Sequence, residues 1–268
     1  MQKAVKWDFF SLKGLVGLSA LIFLTIVLLL IITESSEAAT ITVDDDGPAD
    51  HSKIQDAINA SNPGDTIFIY NGIYYEEIYI NKTLNLTGEN TFDTRIIGNG
   101  SKYATIIIEN TSYVNISSLN AVGEPASGFH YDLVLFSSSN CTIENNQLWG
   151  YDYGVIEFWN SSYNKLNGNV INGSAWGSNV LITASSSYNI ISENWIFGSS
   201  WNASISIYEY LPGGICKFNE IILNNISFTY DGIVVNSNLN IITHNEISSN
   251  NCDIHIGGDF NLIYYNNF

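Results

Sequence analysis

Two asparagines five positions apart recur through the second half of this chain, as Asn164/Asn169, Asn189/Asn194, Asn219/Asn224, Asn240/Asn245 and Asn261/Asn266. An earlier copy places Cys141 at the first position and Asn146 at the second. The phrase returns roughly every twenty to thirty residues, and a self-similar period of that size specifies a solenoid, in which no single repeat can bury its own apolar face.

The period inside each repeat selects the kind of solenoid. Two positions after the first asparagine stand Ile143, Leu166, Ile191, Ile221, Ile242 and Ile263. Two after the second stand Leu148, Ile171, Ile196, Ile226, Ile247 and Phe268. That spacing fits short strands and turns, whereas amphipathic helices place apolar residues three and four apart. Further strand-like runs lie between the phrases, at Leu133–Phe136, Val155–Phe158, Val180–Thr183, Ile205–Tyr208, Ile233–Val235 and Ile254–Ile256. The dense leucine spacing and helical back segment of a leucine-rich repeat are missing. The expected fold is all-β, a single-stranded parallel β-helix with coils about 4.8 Å apart. Equivalent positions then stack, so inward Ile, Val and Leu form apolar columns. Asn146, Asn169, Asn194, Asn224, Asn245 and Asn266 form an amide ladder.

At the N-terminus, Lys3, Lys6 and Lys13 precede a charge-free apolar run from Gly14 to Ile32, and Ala38-Ala39 offers a small-residue exit. Residues 1–39 are expected to be a cleaved secretory signal or an uncleaved membrane anchor, since the run is long enough to span a bilayer. Either places residues 40–268, read as one domain, outside the cell or on its surface. The charge fits that address. The chain carries −17, and after Ala39 the only cations are Lys53, Lys82, Arg95, Lys102, Lys165 and Lys217. Such a surface repels phosphate backbones, which argues against a nucleic-acid partner. Sequons such as Asn81, Asn99, Asn160 and Asn225 would be open to glycosylation in an exported chain. Three cysteines, Cys141, Cys216 and Cys252, fit neither a disulfide framework nor a zinc site.

Thr40–Val43 reads as a first strand and Asp44-Asp45-Asp46 as an acidic turn; calcium is the cation its oxygens would suit. A helix follows from about Lys53 to Ser61, with Ser52 and Gln55 as a capping box and Ile54, Ala57 and Ile58 as its apolar face. A short helix here is suited to cover the open end of the first coil. Strands are then expected at Thr66–Tyr70, Ile78–Ile80, Leu84–Thr87, Arg95–Ile97, Thr105–Ile108 and Val114–Ile116.

The string Ser52 to Ala60, with Pro63-Gly64-Asp65-Thr66-Ile67, Gly72 to Glu77 and Lys82 to Glu89, resembles the opening of right-handed parallel β-helix proteins. More narrowly it resembles the NosD-like group of the pectate-lyase-like superfamily, and the resemblance covers Thr40–Phe268. It implies a right-handed fold and three kinds of role. The first is an accessory part in copper-enzyme maturation, but His51, His130, His244 and His255 are scattered and Met1 is the only methionine. Soft-metal sites gather such ligands; Asp253 and His255 share one side of a strand as a minimal pair. The second is a polysaccharide lyase or hydrolase. A lyase needs a cationic base and a hydrolase two carboxyl groups. The coils supply Lys165 and Lys217 and the carboxylates of Asp152, Glu157, Glu209, Asp231 and Asp253, without the superfamily's clustered hydrolase motifs. The third is a non-catalytic surface that binds glycans or polysaccharides. Trp149, Tyr151, Tyr153 and Trp159, with Trp201, Tyr208 and Tyr210, are the candidate aromatics for stacking on sugar rings. The third role is the leading expectation, with no cofactor beyond calcium. Asn261 to Phe268 opens a coil that the sequence does not finish, so the domain is expected to be incomplete at that end.

Overall fold

The computed structural model describes residue 23 and residues 37–268 apart from 124–129, 152, 175 and 210–214. The apolar run 14–32, Asp152 and Tyr210 thus lie outside the described residues, or nearly so. Among the described residues no helix is long and apolar enough to cross a membrane.

In the unit Ala38–Phe268, the alternating apolar positions become three stacked parallel sheets. The first has 10 strands and contains Asn115–Ser117, Thr142–Glu144, Lys165–Asn167, Ile190–Ser192, Glu220–Ile222, Ile241–Thr243 and Leu262–Tyr264 in that spatial order. The second and third have 8 strands each. In all three, each strand pairs with the equivalent strand one coil away, and apart from Thr40–Val43 with Thr66–Ile69 no strand pairs with the next strand in sequence. The register keeps like with like: Ile143 pairs with Leu166, Leu166 with Ile191, Ile191 with Ile221 and Ile221 with Ile242. These side chains are fully buried in one continuous core with Leu148, Ile171, Ile196, Ile226 and Ile247 of the second sheet. Each such burial contributes about 1.5–3 kcal/mol. The fold is the right-handed parallel β-helix that the repeat and the resemblance predict.

The corners are held by the asparagines. Asn169 donates from Nδ2 to Asn194 Oδ1 (3.0 Å) and to the Ile143 carbonyl (2.9 Å), and its backbone N–H reaches the same Asn194 Oδ1 (2.9 Å). The pattern repeats from Asn146 to Asn266, and a second ladder runs Asn164, Asn189, Asn219, Asn240, Asn261. Cys141 stands at the head of that second ladder, its N–H bonded to Asn164 Oδ1 at 2.9 Å. The residue before most rungs is left-handed, including Tyr163, Tyr188, Glu193, Leu223 and His244, with φ between 54 and 62°.

One helix, α1 (Ile54–Ala60), packs Ile54, Ala57 and Ile58 on the first coil, against the sheet-edge strands Thr40–Val43 and Ile78–Ile80. The expected capping box does not form. Lys53 is the N-cap and makes no side-chain cap. Gln55 instead bonds the backbone of Tyr79 on both sides of its amide. The free N–H groups of the first turn go to the Glu76 carboxylate, Ile54 N to Oε1 (2.8 Å) and Gln55 N to Oε2 (3.0 Å). At the other end Lys82 Nζ donates to the carbonyls of Ile58 (2.9 Å) and Ser61 (2.8 Å). Anion at the N-terminus and cation at the C-terminus both complement the helix dipole.

Candidate functional site

Outward positions of the third sheet share a register as the inward ones do, and one such row reads Ile107, Val134, Glu157, Leu181, Ser206, Val234, His255. Beside this row aromatic side chains pack against one another. Tyr131, the first residue of strand Tyr131–Phe136, lies flat and is buried. Its ring passes where a side chain at Gly154 would stand, a Cβ there meeting Tyr131 Cε1 at 2.4 Å. Tyr103 tilts against both Tyr131 (centroids 5.3 Å) and Phe136 (5.6 Å), and Tyr153 meets Tyr131 edge-on at 5.6 Å. Trp159 continues the wall beside Phe136 at 6.2 Å.

These rings enclose a hollow of about 260 Å³ lined by Tyr103, Tyr131, Tyr153, Glu157, Trp159, Leu181 and Thr183. A second hollow of about 170 Å³ shares Tyr153 and Leu181 and extends the groove over Gly177, Ser178, Asn202 and Tyr208. Gly177 is required by the wall, since a Cβ there would lie 1.9 Å from the Tyr153 carbonyl oxygen. Two polar groups sit on the floor. Glu157 is buried between Val134 and Leu181 and accepts the Tyr103 hydroxyl at 2.6 Å. Burial pushes its carboxyl pKa up, and the Tyr103 hydrogen bond only partly opposes this. The same burial, with Glu157 beside them, pushes the Tyr103 and Tyr131 phenols well above their ordinary range. Thr183 is 1 % exposed and its hydroxyl has no hydrogen-bond partner. A buried donor left unsatisfied costs about 1–3 kcal/mol, and Thr183 is the one buried lining hydroxyl without a partner among the described residues.

Of the aromatics singled out from the sequence, Tyr153, Trp159 and Tyr208 meet in this groove. Trp149 and Tyr151 do not line it; they sit half-exposed and exposed at the end of the second-sheet strand Gln147–Trp149 and the turn after it. Trp201 is exposed and stacks on Trp176, with centroids 6.0 Å apart and planes 12° from parallel. Tyr103, Tyr131, Leu181 and Thr183 were not singled out. Leu181 and Thr183 lie one coil from Glu157 and Trp159 in the strand register, whereas nothing in the repeat marks Tyr103 or Tyr131.

The acidic turn does gather, with ligand oxygens of Asp44, Asp45 and Asp46 within 4.8 Å of one another. Asp45 is engaged by the Ile73 N–H at 3.1 Å, and Asp44 by the Asp46 N–H at 3.3 Å. Asp253 accepts from Asn250 Nδ2 at 3.2 Å and His255 is exposed; no third ligand joins them among the described residues. His130 is buried with both ring nitrogens occupied, Nδ1 at the Lys102 carbonyl (2.9 Å) and Nε2 at the Thr105 hydroxyl (3.1 Å).

The fold recurs in proteins that handle acidic polysaccharides. The pectin methylesterase of Aspergillus niger superposes with a TM-score of 0.60 at 18% identity, over 87% of this chain and 86% of that one. Pectate lyase Pel9A gives 0.55 at 12%, over 86% and 78%. The A-module of mannuronan C-5 epimerase AlgE4 from Azotobacter vinelandii gives 0.51 at 12%, over 76% and 68%. At these identities the likeness is one of fold. No curated protein sequence matches the chain. Residues 58–268 match the family described as periplasmic copper-binding protein (NosD), and with most of the β-helix inside that match the chain belongs to this family.

Proposed function

We propose that the protein is an exported β-helix that binds a glycan or surface polysaccharide along the aromatic groove of its third sheet, without cleaving it. The observation that carries this reading is a groove walled by Tyr103, Tyr153 and Trp159, with Glu157 and Thr183 among its lining residues. Tyr103, Tyr153 and Trp159 offer apolar faces for sugar rings, and Asn202, whose Oδ1 accepts from the Ala203 N–H, keeps its amide NH2 for sugar hydroxyls. Export is supported by the basic and apolar segment 1–39 and by the periplasmic character of the family; an uncleaved segment would tether the rod to the membrane.

A carbohydrate-active enzyme is the rival, favoured by Glu157, a buried acid of raised pKa in a groove. Glycoside hydrolysis uses two carboxyl groups across the scissile bond. Among the described lining residues Glu157 is the only one. Copper fits the residues poorly. The one cluster of three ligand-type residues among the described ones is Asp44–Asp46, all hard oxygen donors, whereas copper in such proteins is held by imidazole, thiolate or thioether. The deciding experiment is a glycan array with the full chain, followed by incubation with each ligand it retains. Retention lost in Tyr153→Ala, with no new reducing ends or unsaturated product, supports the binding reading. Turnover lost in Glu157→Gln would replace it with the enzyme, and an array without any retained glycan would refute both.

A further inference from the structure

We propose that the groove accepts a neutral sugar chain and rejects uronate polymers, an assignment that rests on the glycan-binding reading and narrows it. The argument is one of missing counter-charge. Beyond Ala39 the chain has six cations, and none lines the groove. Lys82 is spent on the carbonyls at the end of α1, and Lys102 donates from Nζ to the Glu77 carbonyl at 2.8 Å. Lys165 lies in the first sheet and Arg95 in the second, while the groove is built on the third. Lys53 precedes α1, and Lys217 hands its carbonyl to Tyr188 at the corner leading into the first sheet. Residues 124–129, 152, 175 and 210–214 contain no Lys or Arg either.

A uronate chain carries a carboxylate on every ring. Laid in this groove, each would be stripped of water against aromatic carbon with no cation to meet it, on a chain of −17. A calcium bridge, the usual remedy, needs acidic ligands on the protein side, and no group of three converges at the groove among the described residues. Besides the buried Glu157 carboxyl, what the walls offer is neutral: the Thr183, Ser178 and Tyr153 hydroxyls, the Asn202 amide, and ring faces. These match the hydroxyls and C–H faces of an uncharged pyranose. The groove thus differs in ligand class from the polymers its structural neighbours are named for, although it shares their scaffold.

The test is calorimetric titration of the full chain with cellohexaose, mannohexaose and chitohexaose, against hexagalacturonate and hexamannuronate, with and without calcium. At least one neutral hexamer is expected to bind with an affinity unchanged by added NaCl, and both uronates to bind at least about tenfold more weakly. A uronate that binds as tightly as the best neutral sugar, in either calcium condition, overturns the assignment and leaves glycan binding standing. Binding by neither class overturns both. Tyr208→Arg, at the groove's edge, should narrow the gap by raising uronate affinity several-fold, with Asn202→Lys as a second variant should the first fail to fold. Folded variants that leave uronate affinity unchanged show that charge is not what excludes it, and count against the proposal.

Discussion

Asn194→Ala removes one rung from the middle of the ladder, and the structure sets the size of the effect. The Asn194 side chain, 1 % exposed, makes four hydrogen bonds. It donates to the Leu166 carbonyl (3.0 Å) and to Asn224 Oδ1 (3.0 Å), and it accepts from the N–H (2.9 Å) and Nδ2 (3.0 Å) of Asn169. After truncation Asn224 Oδ1 keeps the Asn194 backbone N–H at 3.0 Å, and Asn169 Nδ2 keeps two carbonyls. The Asn169 N–H and the inward side of the Leu166 carbonyl keep no replacement. At about 1–3 kcal/mol for each of the two buried groups so stranded, the expected loss is about 2–6 kcal/mol. Asn194→Asp should be no milder, because it sets a carboxylate oxygen against Asn224 Oδ1 and keeps only the accepting half of the rung. Asn266→Ala is the internal comparison. Asn266 accepts two bonds from Asn245 and donates to the Ile242 carbonyl, but it is only partly buried, so water can replace it at a cost of about 1 kcal/mol. Urea unfolding followed by circular dichroism measures the difference. Amide exchange should place the loss in the coils on either side of residue 194, since solenoid stability is coupled between neighbours. An Asn194→Ala protein as stable as Asn266→Ala would refute the ladder as the device that holds the corners.

Three further outcomes follow from single contacts. Glu76→Ala should cost about 1–2 kcal/mol in urea unfolding and raise exchange at Ile54 and Gln55, because it frees both N–H groups at the start of α1. Glu193→Gly should stabilise by about 0.5–1 kcal/mol, as Glu193 holds φ 57° and the equivalent position one coil earlier is already Gly168 at φ 65°. Asp132→Asn should stabilise more at pH 8 than at pH 4. Burial raises the Asp132 pKa well above its ordinary value, against a weaker opposing bond from the Gly123 N–H. The folded state therefore holds a proton that the unfolded chain releases, and wild-type stability falls as pH rises from the unfolded pKa through the folded one. An amide has no such slope, so parallel pH profiles of the two proteins would count against a protonated Asp132.

The rungs, inward columns and most strands were legible because they repeat. A stacked fold writes its long-range contacts as a sequence period, so Ile143 over Leu166 over Ile191 is read from spacing alone. What fails is whatever belongs to a single coil. The Ser52/Gln55 motif has the local form of a capping box, yet Glu76, 22 residues from Ile54, takes the helix N-terminus and leaves Gln55 to bond Tyr79. The groove is of the same kind. Tyr153 and Trp159 were visible as clustered aromatics, but the Tyr103 hydroxyl reaches Glu157 across 54 residues, and no period announces that pair. Trp149 and Tyr151 have the same composition and neighbourhood in sequence, and one parity step in a strand or a turn decides which face each occupies.

Glu157 shows how a periodic scaffold can produce a chemically distinctive group without a dedicated motif. Its row places Val134 one coil behind it and Leu181 one coil ahead, and the Tyr103 and Tyr131 rings border the same hollow. Cross-strand neighbours in a parallel sheet are the closest outward contacts a residue has, so two apolar neighbours remove water from its carboxyl on both sides. Burial in this row and under the rings raises the pKa, and a charge placed at the register neighbour should oppose it. Leu181→Arg sets a guanidinium beside the carboxyl, and an opposite charge at that range favours the ionised form. The carboxylic acid C=O band of Glu157, assigned by its loss in Glu157→Gln, should then vanish at a lower pH than in the wild type. An unchanged titration would mean that the side chain at position 181 does not face the Glu157 carboxyl.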